Sequence, residues 1–346
     1  MLLELAAELG TRELRRLSEL EEIAPAWELL WRSCPLATPF QSPAWLLPWW
    51  RHFGSGALRV LALTSEEQLV GLAPFYLYQQ SPAAPRQLLL LGSGNSDYLD
   101  ILVLPGYEKA CLELVSRWIE KLDGEFDACE MLSLSGEAVA MRIPTPLGLA
   151  ETFNEIEPCP ILHLPTTQGP AEAFFKNECF ASLEYYRRRA ARMGEIKFGA
   201  AADEEQMEAY LIRLAEFEQH RWDARGVQSV MAPERVRAFH LDVTRQLLHC
   251  GMLRLYAMQL DSRIMAVLYG FSDARKFYYY LGSFDPEFHR LSPGKLVLAH
   301  AIHAAVSERL SSFDFLRGAE AYKYEWGARD TPGFRRVLRP GKEIQL

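Results

Sequence analysis

The sequence predicts an α/β fold built from two similar halves, and three observations predict it. The hydrophobic period switches repeatedly between two and 3.6, so strand-like runs alternate with helix-like ones. A polar-turned hairpin occurs once in each half, around Ser65-Glu66-Glu67 and around Asp261-Ser262. After each hairpin come a strand, a turn, an amphipathic helix and a further strand, so one order of elements occurs twice. A chain of 346 residues is also long for a single core. Prolines gather over 145–160, and the junction is placed there, giving domains over 1–155 and 156–346.

In the first half, residues up to about Cys34 read as a strand or short helix and then a helix over 19–31. The run TPFQSPAWLLPWWRHFG puts Phe40, Trp45, Trp49, Trp50 and Phe53 on a proline-interrupted helix, more in the manner of packed core than of a ligand platform. Strands over 58–64 and 68–79 form the hairpin, 82–85 is a loop, and 87–91 is a buried strand. LGSGNSDYLDILV then sets a Gly/Asn turn ahead of Asp97 and Asp100. Apolar Ala110, Leu112, Leu114, Val115, Trp118, Ile119 and Leu122 predict a helix over 107–122, with a strand over 127–134 after it.

In the second half, helices are expected over 171–193, 204–225 and 233–250, and strands over 161–164 and 196–198. The hairpin pairs 252–260 with 264–271. Next comes KFYYYLGSFDPEFHRLSPGKLVLAHAIHAA, an aromatic strand, a turn and a helix over 295–310, followed by a strand over 313–316. At that helix start stand Arg290, Ser292, Pro293, Gly294 and Lys295. Unpaired amides and the positive end of the dipole suit a phosphate there, and Gly294 permits a close backbone approach. The same residues also read as an ordinary helix start, a Ser cap with Pro in the first turn.

Composition bounds the function. The net charge of −8 argues against general DNA or RNA binding. Six scattered cysteines without a CxxC pair suit buried thiols in a reducing compartment. The N-terminus has no uninterrupted apolar stretch and no window approaches a membrane span, so the cytoplasm is the expected location. His300 and His303 stand i,i+3 with no third ligand in view, so no metal site is expected.

RLSPGK after a strand, with FDFLRGAEAYKYEW downstream, resembles the GNAT-like acetyltransferases linked to cellulose and other polysaccharide biosynthesis (the CelD-like type). These are related to the Fem peptidoglycan ligases, which also carry tandem GNAT domains. FEQHRWDARG and YYLGSFDPEFHRLSPG match in the second half, TPFQSPAWLLPWW and SDYLD more weakly in the first. The resemblance implies two tandem GNAT-like domains, the first degenerate and facing the acceptor, the second binding acetyl-CoA or another acyl-CoA. Donor pyrophosphate would then lie on Arg290, Ser292, Gly294 and Lys295. The usual turn is Arg/Gln-x-x-Gly-x-Gly/Ala, and Pro293 replaces its first Gly here, removing one amide donor.

Acyl transfer from a thioester needs a deprotonated nucleophile, oxyanion stabilisation and a proton for the leaving thiolate. Tyr278 and Tyr280 share one face of the aromatic strand and Tyr279 takes the other, so a phenol from one face is a candidate acid, and core packing is the alternative for each. With the resemblance, Lys323 beside Tyr322 is a candidate for the oxyanion or an acceptor phosphate, against a surface lysine packed on Trp326. Asp100 could deprotonate and Asp97 position an acceptor, or either could cap a turn. His220 and Arg221 could line an acceptor groove, Tyr322 is a further candidate for acceptor binding, and Arg188, in the basic run Arg187-Arg188-Arg189, could meet an anionic acceptor or simply be solvated. The expected activity is acyl-CoA-dependent acyl transfer, most simply N-acetyl transfer, to a small-molecule or glycan-precursor acceptor of the cell envelope. A Fem-like transferase using charged tRNA and a catalytically silent binding module are the alternatives. The acidic balance, and the lack of room for a long charged coiled coil, count against tRNA.

Overall fold

Chain contacts divide the protein into unit 1, Met1–Glu157 with Pro332–Leu346, and unit 2, Pro158–Thr331. The computed structural model describes residues 9–165, 178–223 and 226–341. The first eight residues, the start of the helix predicted over 171–193 and the end of the one over 204–225 lie outside them.

Unit 1 holds β1 (Gly10–Leu14), α1 (Leu17–Ser33), α2 (Pro43–Phe53), β2 (Ala57–Ser65), β3 (Gln68–Tyr78), β4 (Gln87–Leu90), β5 (Leu102–Val103), α3 (Glu108–Lys121) and β6 (Ala128–Ser135). The β2–β3 hairpin turns at Glu66, which takes a left-handed φ of 54°. α3 carries the chain from β4 over to β6, which lies parallel to it with Leu88 beside Cys129. One face of α3 buries Cys111, Val115 and Ile119 against Phe75, Leu88 and Leu90 of the sheet. The aromatic run is core: Phe40 meets Trp45 edge-on at 4.9 Å, and Trp49 meets Tyr76 at 5.4 Å.

Two departures from the sequence reading concern strands. The proline-bearing junction is instead β7 (Leu149–His163). Proline lacks an N–H but keeps its carbonyl, and Pro158 and Pro160 accept from Gly318 and Phe315 at 3.0 Å each. The charged C-terminal stretch, left without an element by the sequence, is β13 (Arg329–Pro340), antiparallel to β6. Residues 332–346 therefore belong to unit 1, where the sequence reading put them in the second domain. Arg336 explains the return. It is buried, donating to the carbonyls of Ala140 and Ile143 and to Glu151, all at 2.6 Å.

Unit 2 repeats the same order. It contains α4 (Glu178–Ala191), β8 (Ile196–Ala200), α5 (Glu204–Asp223), α6 (Glu234–His249), β9 (Leu253–Leu260), β10 (Arg263–Ser272), β11 (Lys276–Phe284), α7 (Pro293–Ser307), β12 (Ser312–Asp314) and α8 (Ala321–Glu325). Its sheet runs β8-β9-β10-β11-β12 and ends on the Pro158–His163 part of β7. The β10–β11 turn is held by Asp273, whose Oδ1 accepts from the amides of Arg275 and Lys276 at 2.9 Å each. α7 is apolar on most sides and buries Val297, Ala301, Ile302 and Ala305, while Phe277 and Phe313 stack at 4.4 Å beneath. Each unit is thus a mixed sheet flanked by helices, as the sequence predicts. Among the described residues no helix is long and apolar enough to cross a membrane.

Candidate functional site

The β11–β12 ladder is short. It is parallel and pairs Lys276 with Ser312, Phe277 with Phe313 and Tyr278 with Asp314, then stops, while β11 runs on to Phe284. The chain after β12 leaves this ladder for local reasons. Asp314 accepts from the amide of Leu316 at 2.8 Å, and Leu316 and Gly318 adopt φ of 55° and 110°. The predicted strand over 313–316 therefore ends at Asp314. Against β10, the register slips between Tyr269 and Gly270, leaving Tyr280 as the bulged residue of β11.

The bulge and the ladder end sort the three tyrosines. Tyr278 is buried, stacks on Phe271 at 5.8 Å, and donates its hydroxyl to Asp273 at 3.1 Å. It belongs to the base of the hairpin. Tyr280 lies on the same side, 5.2 Å from His240 and 5.3 Å from Tyr269, ring centre to ring centre. Tyr279, on the other face of the strand, stands just past the ladder end and packs beside Phe313 and Phe315. A Cβ on Gly282 would strike its hydroxyl, so glycine at that position leaves room for the phenol. Tyr322 of α8 lies close enough for the two phenols to influence each other. Burial pushes the Tyr279 phenol up to about 12, against the pull of Tyr322 and of Arg221. Burial raises Tyr322 further. Both keep their protons at neutral pH, and Tyr279 is the stronger acid of the two.

Of the predicted acceptor residues, the structure brings Arg221 and Tyr322 to this place. Arg221, on the last turn of α5, pairs with buried Glu218 at 3.4 Å, and Glu218 also accepts from Trp222 at 2.9 Å. His220 is exposed on the same turn. Arg188 is held by its own helix, bonded to Glu184 at 2.6 Å, which is the solvated-face alternative.

Lys323 is held in a way its sequence does not suggest. Its side chain is 3% exposed, and its ammonium donates to the carbonyls of Leu316, Arg317 and Gly318 at 3.3, 2.9 and 3.0 Å. Glu320 stands 2.8 Å away as counter-ion. A lysine has three N–H donors, and here each has an acceptor, so Lys323 is a clasp on the loop that ends β12. Asp100 is likewise held by backbone groups. It lies in unit 1, buried, and accepts from the amides of Ile101, Val139 and Ala140 at 2.8, 2.7 and 2.7 Å. Burial pushes its carboxyl up to about 7 against the pull of those amides. Asp97 is half-buried in the Gly-marked loop of the same unit.

The α7 start keeps part of the predicted cradle. Ser292 is the N-cap in a left-handed conformation, φ 49°, and its side chain caps nothing. Pro293 follows at the first helical position. The amides of Gly294 and Lys295 find no protein acceptor among the described residues, so two donors face outward, and Arg290 is exposed beside them. Gly294 serves close packing as well, because a Cβ there would come within 2.9 Å of the Phe284 ring. The Lys295 ammonium leans to Glu325 at 3.6 Å and over Trp326 at 6.0 Å.

Comparison with known proteins bears on the fold. Residues 177–324 match the family described as acetyltransferase (GNAT) domain. No curated protein matches the chain. Among solved structures, FemX superposes with a TM-score of 0.66 at 13% identity, covering 94% of this chain and 96% of its own. The C-terminal domain of a putative lysylphosphatidylglycerol synthetase from Agrobacterium fabrum gives 0.58 at 12%, covering 92% and 91%. L-PGS from Bacillus licheniformis gives 0.54 at 10%, covering 87% and 92%. At such identities the likeness is one of fold. The match over 177–324 takes in the short β11–β12 ladder, the α7 start and the tyrosine pair.

Proposed function

We propose that the protein is an acyl-CoA-dependent acyltransferase, working in the cytoplasm, that moves an acyl group from the thioester to an amine of a cell-envelope or polysaccharide precursor. The observation that carries this reading is the end of the β11–β12 ladder at Tyr278 and Asp314, with Tyr279 immediately beyond it. Where two neighbouring strands part, a backbone amide of β11 can donate to a carbonyl oxygen as it becomes an oxyanion. The acceptor nitrogen attacks the thioester carbon, the C–S bond breaks, and sulfur leaves as a thiolate. Tyr279 gives that sulfur its proton and is reprotonated from solvent by way of neighbouring Tyr322. The proton released by the acceptor nitrogen passes to solvent. Donor phosphates would rest on the amides of Gly294 and Lys295, with Arg290 alongside. The acceptor class rests on the sequence resemblance.

Thermal shift and calorimetry with acetyl-CoA, free CoA and tRNA test the donor. Acetyl-CoA at a hundred times its Kd should stabilise the protein by about 2.7 kcal/mol. Arg290→Ala should weaken the binding and tRNA should give no shift. No stabilisation by any acyl-CoA would overturn the reading.

A further inference from the structure

A concavity in unit 2 has a chemistry that acyl transfer does not use. It measures about 420 Å³, within the range of small-molecule sites, and is lined by α4, β8 and α7. Phe180, Leu183, Phe198 and Leu296 make its apolar lining, and Glu184, Arg187, His300 and His303 supply its polar groups. From α7 it takes Leu296, Ala299, His300 and His303, which stand i, i+3, i+4 and i+7 on one helix face. Two imidazoles on that face are unusual for a helix that otherwise buries aliphatic residues. His300 stacks on Phe198 at 4.9 Å with its ring 14° from parallel, and its nitrogens bond no protein group among the described residues. His303 meets Phe180 edge-on at 6.0 Å. Burial holds both below the ordinary histidine value of 6.5, so at neutral pH they are uncharged donors and acceptors.

The lining holds one carboxylate and one guanidinium, and they are not held alike. Glu184 is bonded to Arg188 at 2.6 Å, which answers its carboxylate. Arg189 turns to the Tyr185 hydroxyl at 3.3 Å. Arg187 has no ion pair among the described residues and lines the concavity. An apolar lining, two neutral imidazoles and a guanidinium without an ion pair among the described residues select a definite ligand class. We propose that this groove between α4 and α7 binds a small amphiphilic anion, a carboxylate or phosphate monoester carried on an apolar chain or ring, with Arg187 on its head group. The proposal stands apart from the acyl-transfer reading, since its ligands contain no thioester and their binding is measured directly.

Titration calorimetry on the full chain tests it, with octanoate, octyl phosphate, octanol and octylamine held below their micelle concentrations. Octanoate and octyl phosphate should bind, the tighter of the two identifying the head group. Octanol and octylamine should bind at least about tenfold more weakly, the size of one charge-assisted contact. Arg187→Gln, at an exposed position, should cost octanoate about tenfold and leave octanol unchanged. Ala299→Trp should fill the groove and abolish octanoate binding while the acetyl-CoA thermal shift persists. Equal binding of octanol and octanoate would overturn the proposal. So would undiminished octanoate binding in Arg187→Gln, or displacement of octanoate by acetyl-CoA, which would make the groove part of the donor site.

Discussion

Replacing Lys323 by methionine separates its clasp role from a chemical one. The substitution keeps the length and apolar stem of the side chain and removes the ammonium. Three carbonyls, at 3.3, 2.9 and 3.0 Å, lose a charged donor, and Glu320 loses its partner at 2.8 Å. Glu320 is exposed and rehydrates, so its loss is small. The carbonyls belong to a loop with two left-handed residues, and their bonds are to a charge. Breaking a buried arrangement of this kind costs about 3–5 kcal/mol, and some relaxation of the loop toward water argues for the lower end, about 3 kcal/mol. For a unit of this size each kcal/mol moves Tm by about 2–4 °C, so a fall of about 6–12 °C is expected. Lys323→Arg should rescue little, because a planar fork cannot address three carbonyls gathered around one point. Scanning calorimetry reads the fall, and acetyl-CoA turnover measured well below the new Tm should stay within a few-fold of wild type. A variant with unchanged Tm and abolished turnover would refute the clasp and return Lys323 to the chemistry.

Three further outcomes follow from the geometry. Tyr279→Phe should lower kcat by about 10²-fold, the usual worth of a general acid, with Tm unchanged, and an unaltered kcat would remove the phenol from the proposed step. His240 is buried without a partner for Nδ1, and burial depresses it to about 3 from 6.5. The unfolded chain therefore takes up a proton as pH falls below 6.5 while the folded one does not until about 3, so stability held above pH 6.5 drains away on acidification. Between pH 7 and 5 this amounts to about 2 kcal/mol, which His240→Leu should remove from the pH dependence of urea unfolding. A variant with the same pH dependence as wild type would contradict it. Asp100→Ala should destabilise unit 1 by about 3 kcal/mol, one per orphaned amide, with Asp100→Asn intermediate, as read by denaturant midpoints.

Much of the fold is legible in the sequence because its signals are local. The hairpins announce themselves through polar turns, and α7 through Ser292-Pro293-Gly294 followed by an apolar run. β13 is not legible. Its arginines and Pro332 read as an exposed tail, and only the carbonyls of Ala140 and Ile143, far away in sequence, make a buried Arg336 sensible. α8 is too short for a period to show. The site is legible in type and less so in identity. Tyr278, Tyr279 and Tyr280 are one word in the sequence, and a bulge and a ladder end decide which of them stands beyond the paired strands. Gly282 was the available clue, since a glycine three residues on from a tyrosine leaves space for its ring. Lys323 looked reactive because no sequence pattern reveals three carbonyls turned inward.

The burial of Arg336 also dictates an order of events during synthesis. Its partner carbonyl at Ala140 precedes it by 196 residues, and the whole of unit 2 is made in between. At about 5–20 residues per second, roughly 200 residues occupy a ribosome for about 10–40 s. Throughout that interval unit 2 can complete its sheet up to β12, while the edge of β6 that will receive β13 has no strand to pair with. The N-terminal unit is thus begun first and finished last, and β6 carries an open edge, the hazard that invites pairing with a neighbouring chain, until Arg336 has emerged.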